Sequence, residues 1–133
     1  MRRQNIQPES LSKRVVGGHV LYSHVVVVEA RKTIFVSGQL ARDSQGHVVG
    51  AGDMRAQIRQ TGENIKTALA AAGASLADIV KTNTYVTNIE EFFKHTDVRM
   101  EYFGAMPTST TIEVSKLAHP DLMVEIEVVA VLD

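Results

Sequence analysis

The 133 residues contain no cysteine and no tryptophan, and aromatic side chains make up 5% of them. Without thiols the chain has no disulfides, no thiolate nucleophile, no cysteine-bound zinc and no thiol redox switch. Long hydrophobic runs are missing too: the four valines Val25 to Val28 are strand-sized, far from the roughly 20 residues needed to cross a bilayer. Nor is there an excess of positive charge, since 14 Lys and Arg face 15 Asp and Glu for a net charge of −1. With no basic stripe and no aromatic platform, nucleic acid is not an expected partner, and RNA cleavage fits poorly. The five histidines, at 19, 24, 47, 95 and 119, stand apart from one another with no metal-ligand spacing, so no metal site is expected. Met1-Arg2-Arg3 is followed by no apolar signal core, which makes the cytoplasm the expected location.

What remains is ordinary for a globular chain, with 44% apolar and 22% charged residues. The length predicts a single domain over 1–133 with a core of its own. Its organising stretch is the last quarter, Pro107 to Asp133. There Val124, Ile126, Val128, Ala130 and Leu132 alternate with Glu125, Glu127, Val129 and Val131, the period-2 pattern of a sheet strand. The run before it, Thr110 to Lys116, sets Ile112 and Val114 against Thr111, Glu113 and Ser115. If these strands are neighbours, carboxylates and hydroxyls crowd one face and make a polar pocket wall.

Upstream, Arg2–Ile6 reads as a short edge strand, Gly17-Gly18 as a turn and His19 to Ala30 as a strand covered on both sides. Arg31-Lys32 then leads to Thr33–Gly38, so the pair reads as a hairpin. Asp43 to Gly46 is a turn by composition, with a short strand expected over His47 to Val49. Asp53 is placed to cap a helix whose stripe is Met54, Ile58, Thr61, Ile65, Ala68, Leu69 and Ala72, stopping at Gly73. Ser75 to Asp78 resembles a capping box, and Ile79 to Thr87 alternates as a strand. Asn88 opens a second helix with the inner stripe Ile89, Phe92, Phe93, Thr96, Met100 and Phe103, ending at Gly104. Two amphipathic helices joined to strands by short connections imply an α+β two-layer sandwich, a mixed sheet with both helices on one face. The other face, carrying Tyr85, Val129 and Val131, is too apolar for water, which points to a homo-oligomer with any polar pocket between subunits.

A set of short motifs resembles one family in order along nearly the whole chain. They are Tyr22-Ser23-His24, Phe35-Val36-Ser37-Gly38-Gln39, Glu63-Asn64-Ile65, Ala72-Gly73 and Asp78-Ile79-Val80-Lys81. Pro107 with Ile112-Glu113-Val114, Val124-Glu125-Ile126-Glu127 and Ala130-Val131 complete the set. The family is Rid (YjgF/RidA). The resemblance implies a chorismate-mutase-like fold, a homotrimer with clefts between subunits, and hydrolysis of enamine or imine metabolites with no cofactor. Tyr22 corresponds to the family's pocket tyrosine, Ser37 and Gly38 to its cleft-lining Ser-Gly, and Glu125 to the glutamate that holds the attacking water. The family's carboxylate-gripping arginine falls on Ser109, and a serine cannot act as a bidentate guanidinium. Either Arg14 or Arg42 supplies the cation, or the ligand is more neutral and suits the hydroxyls of Ser109, Thr110 and Thr111. The expected function is therefore a Rid-type deaminase with altered substrate choice. The alternative is a non-catalytic trimer that binds a small metabolite in the same cleft.

Overall fold

In the computed structural model, which describes residues 2–133, the first half of the chain gives five strands and one helix. The strands are β1 (Arg2–Ile6), β2 (Val15–Val16), β3 (His19–Val20), β4 (Val25–Glu29) and β5 (Lys32–Leu40), followed by α1 (Met54–Ala71). After a 3-10 turn at Leu76–Asp78 come β6 (Ile79–Val86), α2 (Ile89–Phe92), a second 3-10 turn at Phe93–His95 and α3 (Thr96–Tyr102). Strands β7 (Thr108–Glu113) and β8 (Val124–Leu132) complete the order. Met1, counted in the expected 1–133 unit, lies outside the described residues.

Four strands form one mixed sheet in the order β5-β8-β6-β7. Strand β8 runs antiparallel to both neighbours, while β6 and β7 are parallel and are joined through α2 and α3. A parallel pair needs such a crossover, and the crossover lays its helices on one face. Helix α1 covers the same face because Met54, Ile58, Thr61, Ile65 and Leu69 are buried along one stripe. They meet Ile79 and Val86 of β6 and Val124, Ile126, Val128 and Ala130 of β8, with Phe92 and Val98 closing the core. Each fully buried side chain of this size stabilises by about 1.5–3 kcal/mol. Asp53 caps α1 by accepting from the Ala56 amide at 3.0 Å, and Gly73, at φ 78°, takes the left-handed turn that ends it. The two-layer α+β sandwich is as the hydrophobic periodicity requires.

Several local expectations are corrected. Strand β4 pairs with β1, Arg2 opposite Glu29 through Ile6 opposite Val25, and not with β5 in a hairpin. The reason lies in side chains that alternation does not reveal. Arg3 donates to the carbonyls of Ala77, Ile79 and Ala105 at 3.2, 2.9 and 2.8 Å, and Asn5 to those of Ala105 and Met106 at 3.1 and 2.9 Å. These bonds moor the β1–β4 ribbon at the end of the sheet where β6 begins. The long strand expected over His19–Ala30 is interrupted at Leu21–His24, and His47–Val49 contributes a single bridge, Arg42 with Val48. The second helix breaks at Phe93–His95. In the last quarter β6 lies between β7 and β8, so the two strands are not neighbours. Register then puts Thr108, Thr110 and Ile112, rather than Thr111 and Glu113, on the face shared with Glu125 and Glu127.

Candidate functional site

Alternation along β8 buries Val124, Ile126 and Val128 under the helices, so Glu125, Glu127 and Val129 lie on the sheet's open side. Across the ladder they stand opposite Tyr85, Asn83 and Lys81 of β6. Glu127 accepts from Asn83 Nδ2 at 3.0 Å and from the Tyr85 hydroxyl at 2.9 Å. The Asn83 bond first, then the Tyr85 bond, holds its carboxyl below the usual range, and the same contact raises the Tyr85 phenol. Glu125 differs: among the described residues no hydrogen bond or salt bridge engages its half-buried carboxylate. That carboxylate lies on the backbone of Gly38, where an added Cβ would overlap Oε2 and come within 2.8 Å of Cδ. Any side chain at position 38 would therefore displace that carboxylate.

Gly38 sits in a register shift of β5 between Val36 and Gln39. Such a bulge re-aims a side chain. Exposed Ser37 lines an open-face hollow of about 330 Å³ together with Lys81, Asn83 and Glu127. A smaller groove, about 220 Å³, runs beside it between Tyr22, Ser23 and His24 and the strand residues Lys81 to Asn83 and Thr108 to Thr110. Lys81 and Asn83 border both. The groove wall is held by bonds from the interrupted segment: Ser23 donates its amide to Pro107 O at 3.2 Å and its hydroxyl to Met106 O at 2.6 Å. Gln7 accepts from the His24 amide at 2.8 Å and donates to Tyr22 O at 2.6 Å. The Tyr22 and His24 rings meet edge to face at 5.2 Å.

The structure therefore gathers the sequence-derived residues into two groups. Ser37, Gly38 and Glu125 lie along β5 and β8; Tyr22, Ser109 and Thr110 lie at the β6–β7 side. Ser109 and Thr111 pair with buried Thr82 and Thr84 and face the helix layer, although Ser109 also borders the groove. Neither arginine offered for the missing cation is near Ser109 by any contact. Arg14 stacks on the Phe93 ring, 4.4 Å from its centroid, and Arg42 donates to Gly46 O at 2.8 Å within its own turn. The cation beside Ser109 is Arg99 of α3, whose Nη2 donates to the serine hydroxyl at 2.8 Å. Sequence reasoning missed it. The available signal was its place in the helix, three residues after Thr96 and seven after Phe92, where a charge on the inner stripe demands an explanation.

Comparison with known proteins places this geometry in context. The family model described as Endoribonuclease L-PSP matches residues 17–132. A RutC family protein of Pyrococcus horikoshii is 38% identical over 104 residues, 77% of this chain and 82% of that protein. A 2-iminobutanoate/2-iminopropanoate deaminase of Dermatophagoides farinae is 30% identical over 107 residues, 80% of this chain and 83% of the relative. The crystal structure of YyfB, a Rid family protein of Yersinia pestis, superposes with a TM-score of 0.84 at 35% identity, covering 99% of this chain and 100% of that one. Motifs, fold and relatives agree: the chain belongs to the Rid (YjgF/RidA) family.

Proposed function

We propose that this protein is a cofactor-free hydrolytic deaminase of a reactive enamine or imine metabolite, acting as a homotrimer with its clefts between subunits. The observation that carries the reading is Glu125, a half-buried carboxylate with no hydrogen-bond or salt-bridge partner among the described residues, laid on the Gly38 backbone. Its neighbour Glu127, by contrast, has Oε1 engaged by both Asn83 and Tyr85. A carboxylate kept free in this way orients and deprotonates water. The water oxygen bonds to the imine carbon, the nitrogen takes up the protons, and the C–N bond breaks to give a carbonyl compound and ammonia. Ser37 and Tyr22 supply hydroxyls for the proton traffic on nitrogen.

The trimer is supported by the separation of the two residue groups on one chain and by the open sheet face. Phe35, 78% exposed, stands opposite Val129 there, too apolar an edge for water. A neighbouring subunit's Tyr22 group placed over this chain's Glu125 group would complete a cleft. The whole of 1–133 then acts as one Rid-like unit, in the cytoplasm, with a small molecule as ligand.

Ammonia release from an enamine generated in situ by a pyridoxal-dependent dehydratase tests the reading. The protein should accelerate it, and Glu125→Gln should abolish the acceleration while leaving the fold unchanged. Equal rates with and without protein would overturn it. A non-catalytic trimer binding a metabolite in the same place is the second reading. It is favoured by the fact that the carboxylate lining the hollow is Glu127, whose Oε1 is already engaged by Asn83 and Tyr85.

A further inference from the structure

The loop from β7 to β8 is fixed at both ends and leaves the donors in its middle unused. Val114 donates its amide to Val86 O at 2.8 Å, Leu122 to His119 O at 3.0 Å and Met123 to the Gln57 side chain at 2.8 Å. Between them, from Ser115 to His119, no backbone N–H finds an acceptor among the described residues. Backbone donors are strong and need a partner, so a run of them on one loop is left for water or for a ligand.

This loop lines a cavity of about 370 Å³, closed by Thr87 just beyond the end of β6. Leu117, Pro120 and buried Leu122 form its apolar part. Thr87, Ser115, Lys116 and His119 form its polar part, and no acidic side chain borders it. His119 Nδ1 accepts from the Asp121 amide at 3.0 Å, and Asp121 Oδ2 stands 3.9 Å from the same nitrogen. The neutral ring therefore carries its proton on Nε2 and offers it as a donor. The cavity shares no lining residue with the open-face hollow or with the groove beside Tyr22.

We propose that this cavity is a second ligand site, separate from the deaminase cleft, that takes a phosphate monoester with a small apolar body. The ammonium of Lys116, the imidazole N–H of His119, the hydroxyls of Thr87 and Ser115 and the unused loop amides are all donors. A wall of donors without a carboxylate selects an anion. The three terminal oxygens of a phosphate monoester use such a set more fully than the two of a carboxylate. The volume lies in the range of small-molecule sites, roughly 300–1,000 Å³, so there is room beyond the phosphate. Leu117, Pro120 and Leu122 give that room an apolar wall, where a hydrocarbon group displaces water favourably.

The test is calorimetry on the intact protein with three probes: phenyl phosphate, inorganic phosphate and phenol. Phenyl phosphate should bind at least about tenfold more tightly than either fragment, since it alone uses both halves of the cavity. Lys116→Met alters an exposed side chain and keeps its stem. His119→Asn keeps an acceptor, Oδ1, for the Asp121 amide and removes only the donor. Each variant should weaken phenyl phosphate about tenfold, the scale of one charged hydrogen bond, and leave phenol unaffected. Phenyl phosphate affinity unchanged in either variant would overturn the proposal, as would the absence of saturable binding or phenol binding as tightly as its phosphate. Loss of phenyl phosphate binding in Tyr22→Ala would also overturn it, by moving the anion to the groove.

Discussion

Replacing Gly38 by alanine separates stability from function at one atom. Gly38 does not occupy the left-handed region, so its backbone accepts a side chain. In a strand interior alanine is even favoured by up to about 1 kcal/mol, since it narrows the unfolded ensemble. The obstacle is local. The new methyl would overlap Glu125 Oε2 and stand 2.8 Å from Cδ and 3.0 Å from Cγ. What must give is the end of a flexible, half-buried side chain, and it can swing away without moving the strand. The net change in folding stability should therefore be within about 1 kcal/mol, at the low end of overpacking costs. Chemistry should suffer far more. A base displaced by about 1 Å loses on the order of a hundredfold in rate. Ammonia release from an in situ enamine, measured beside urea unfolding of the same preparation, reads both quantities. The double variant Gly38→Ala/Glu125→Gln should be no slower than Glu125→Gln alone, because both changes remove the same carboxylate from the site. Full activity in Gly38→Ala, or losses that multiply in the double variant, would refute the role given to Glu125.

Other consequences follow from the packing. Gly62→Ala in α1 should destabilise by at least about 1–3 kcal/mol despite alanine's better helix propensity, because its methyl would come within 2.6 Å of the Tyr102 ring of α3; a stabilised protein in urea would contradict the contact. Gln57, fully buried, donates to Gly50 O at 3.0 Å and Asp121 O at 2.7 Å and accepts from the Met123 amide at 2.8 Å. Gln57→Ala orphans three backbone groups and should cost about 3 kcal/mol or more, readable as a shift of the urea midpoint. Asp97 is held by Arg55 through bonds of 3.1 and 2.7 Å, and its carboxyl falls from 3.8 to about 2. A depressed carboxyl stabilises above its ordinary value and loses that contribution as pH falls through the folded one. The stability difference between wild type and Asp97→Asn should therefore shrink from pH 4 to pH 2; a difference flat across that window would contradict the pairing.

The two-layer plan was legible because period-2 and period-3.6 patterns record which side of each element meets the core. Met54 to Leu69 and Val124 to Ala130 carry that record, while Ala72 is exposed and Gln57 and Val131 are buried against the pattern. Alternation is silent about which strand lies beside which. The β1–β4 pairing depends on Arg3 and Asn5 reaching the carbonyls of Ala77, Ile79, Ala105 and Met106, contacts between residues far apart in the chain. The interposition of β6 between β7 and β8 is of the same kind. Glu125, Ser37 and Gly38 stood out through the motifs that resemble the family, and the structure brings Gly38 and Glu125 into contact. Arg99 stayed hidden because a charge in a helix is read as solvated unless its place on the stripe is checked. Arg14 and Arg42, the cations offered instead, are each occupied by their own neighbourhood.

The central claim, that the chemistry occurs between subunits, is tested most directly by mixing two inactive variants. Glu125→Gln lacks one group of residues and Tyr22→Ala lacks the other. If each cleft draws Tyr22 from one chain and Glu125 from the next, unfolding the two together and refolding them as a mixture should restore ammonia release in about a quarter of the clefts, the share expected for random assembly around a closed ring. Refolding each variant alone should restore none. A mixture as inactive as its components, in particles shown by sedimentation to contain both chains, would contradict the account and return the whole site to a single chain.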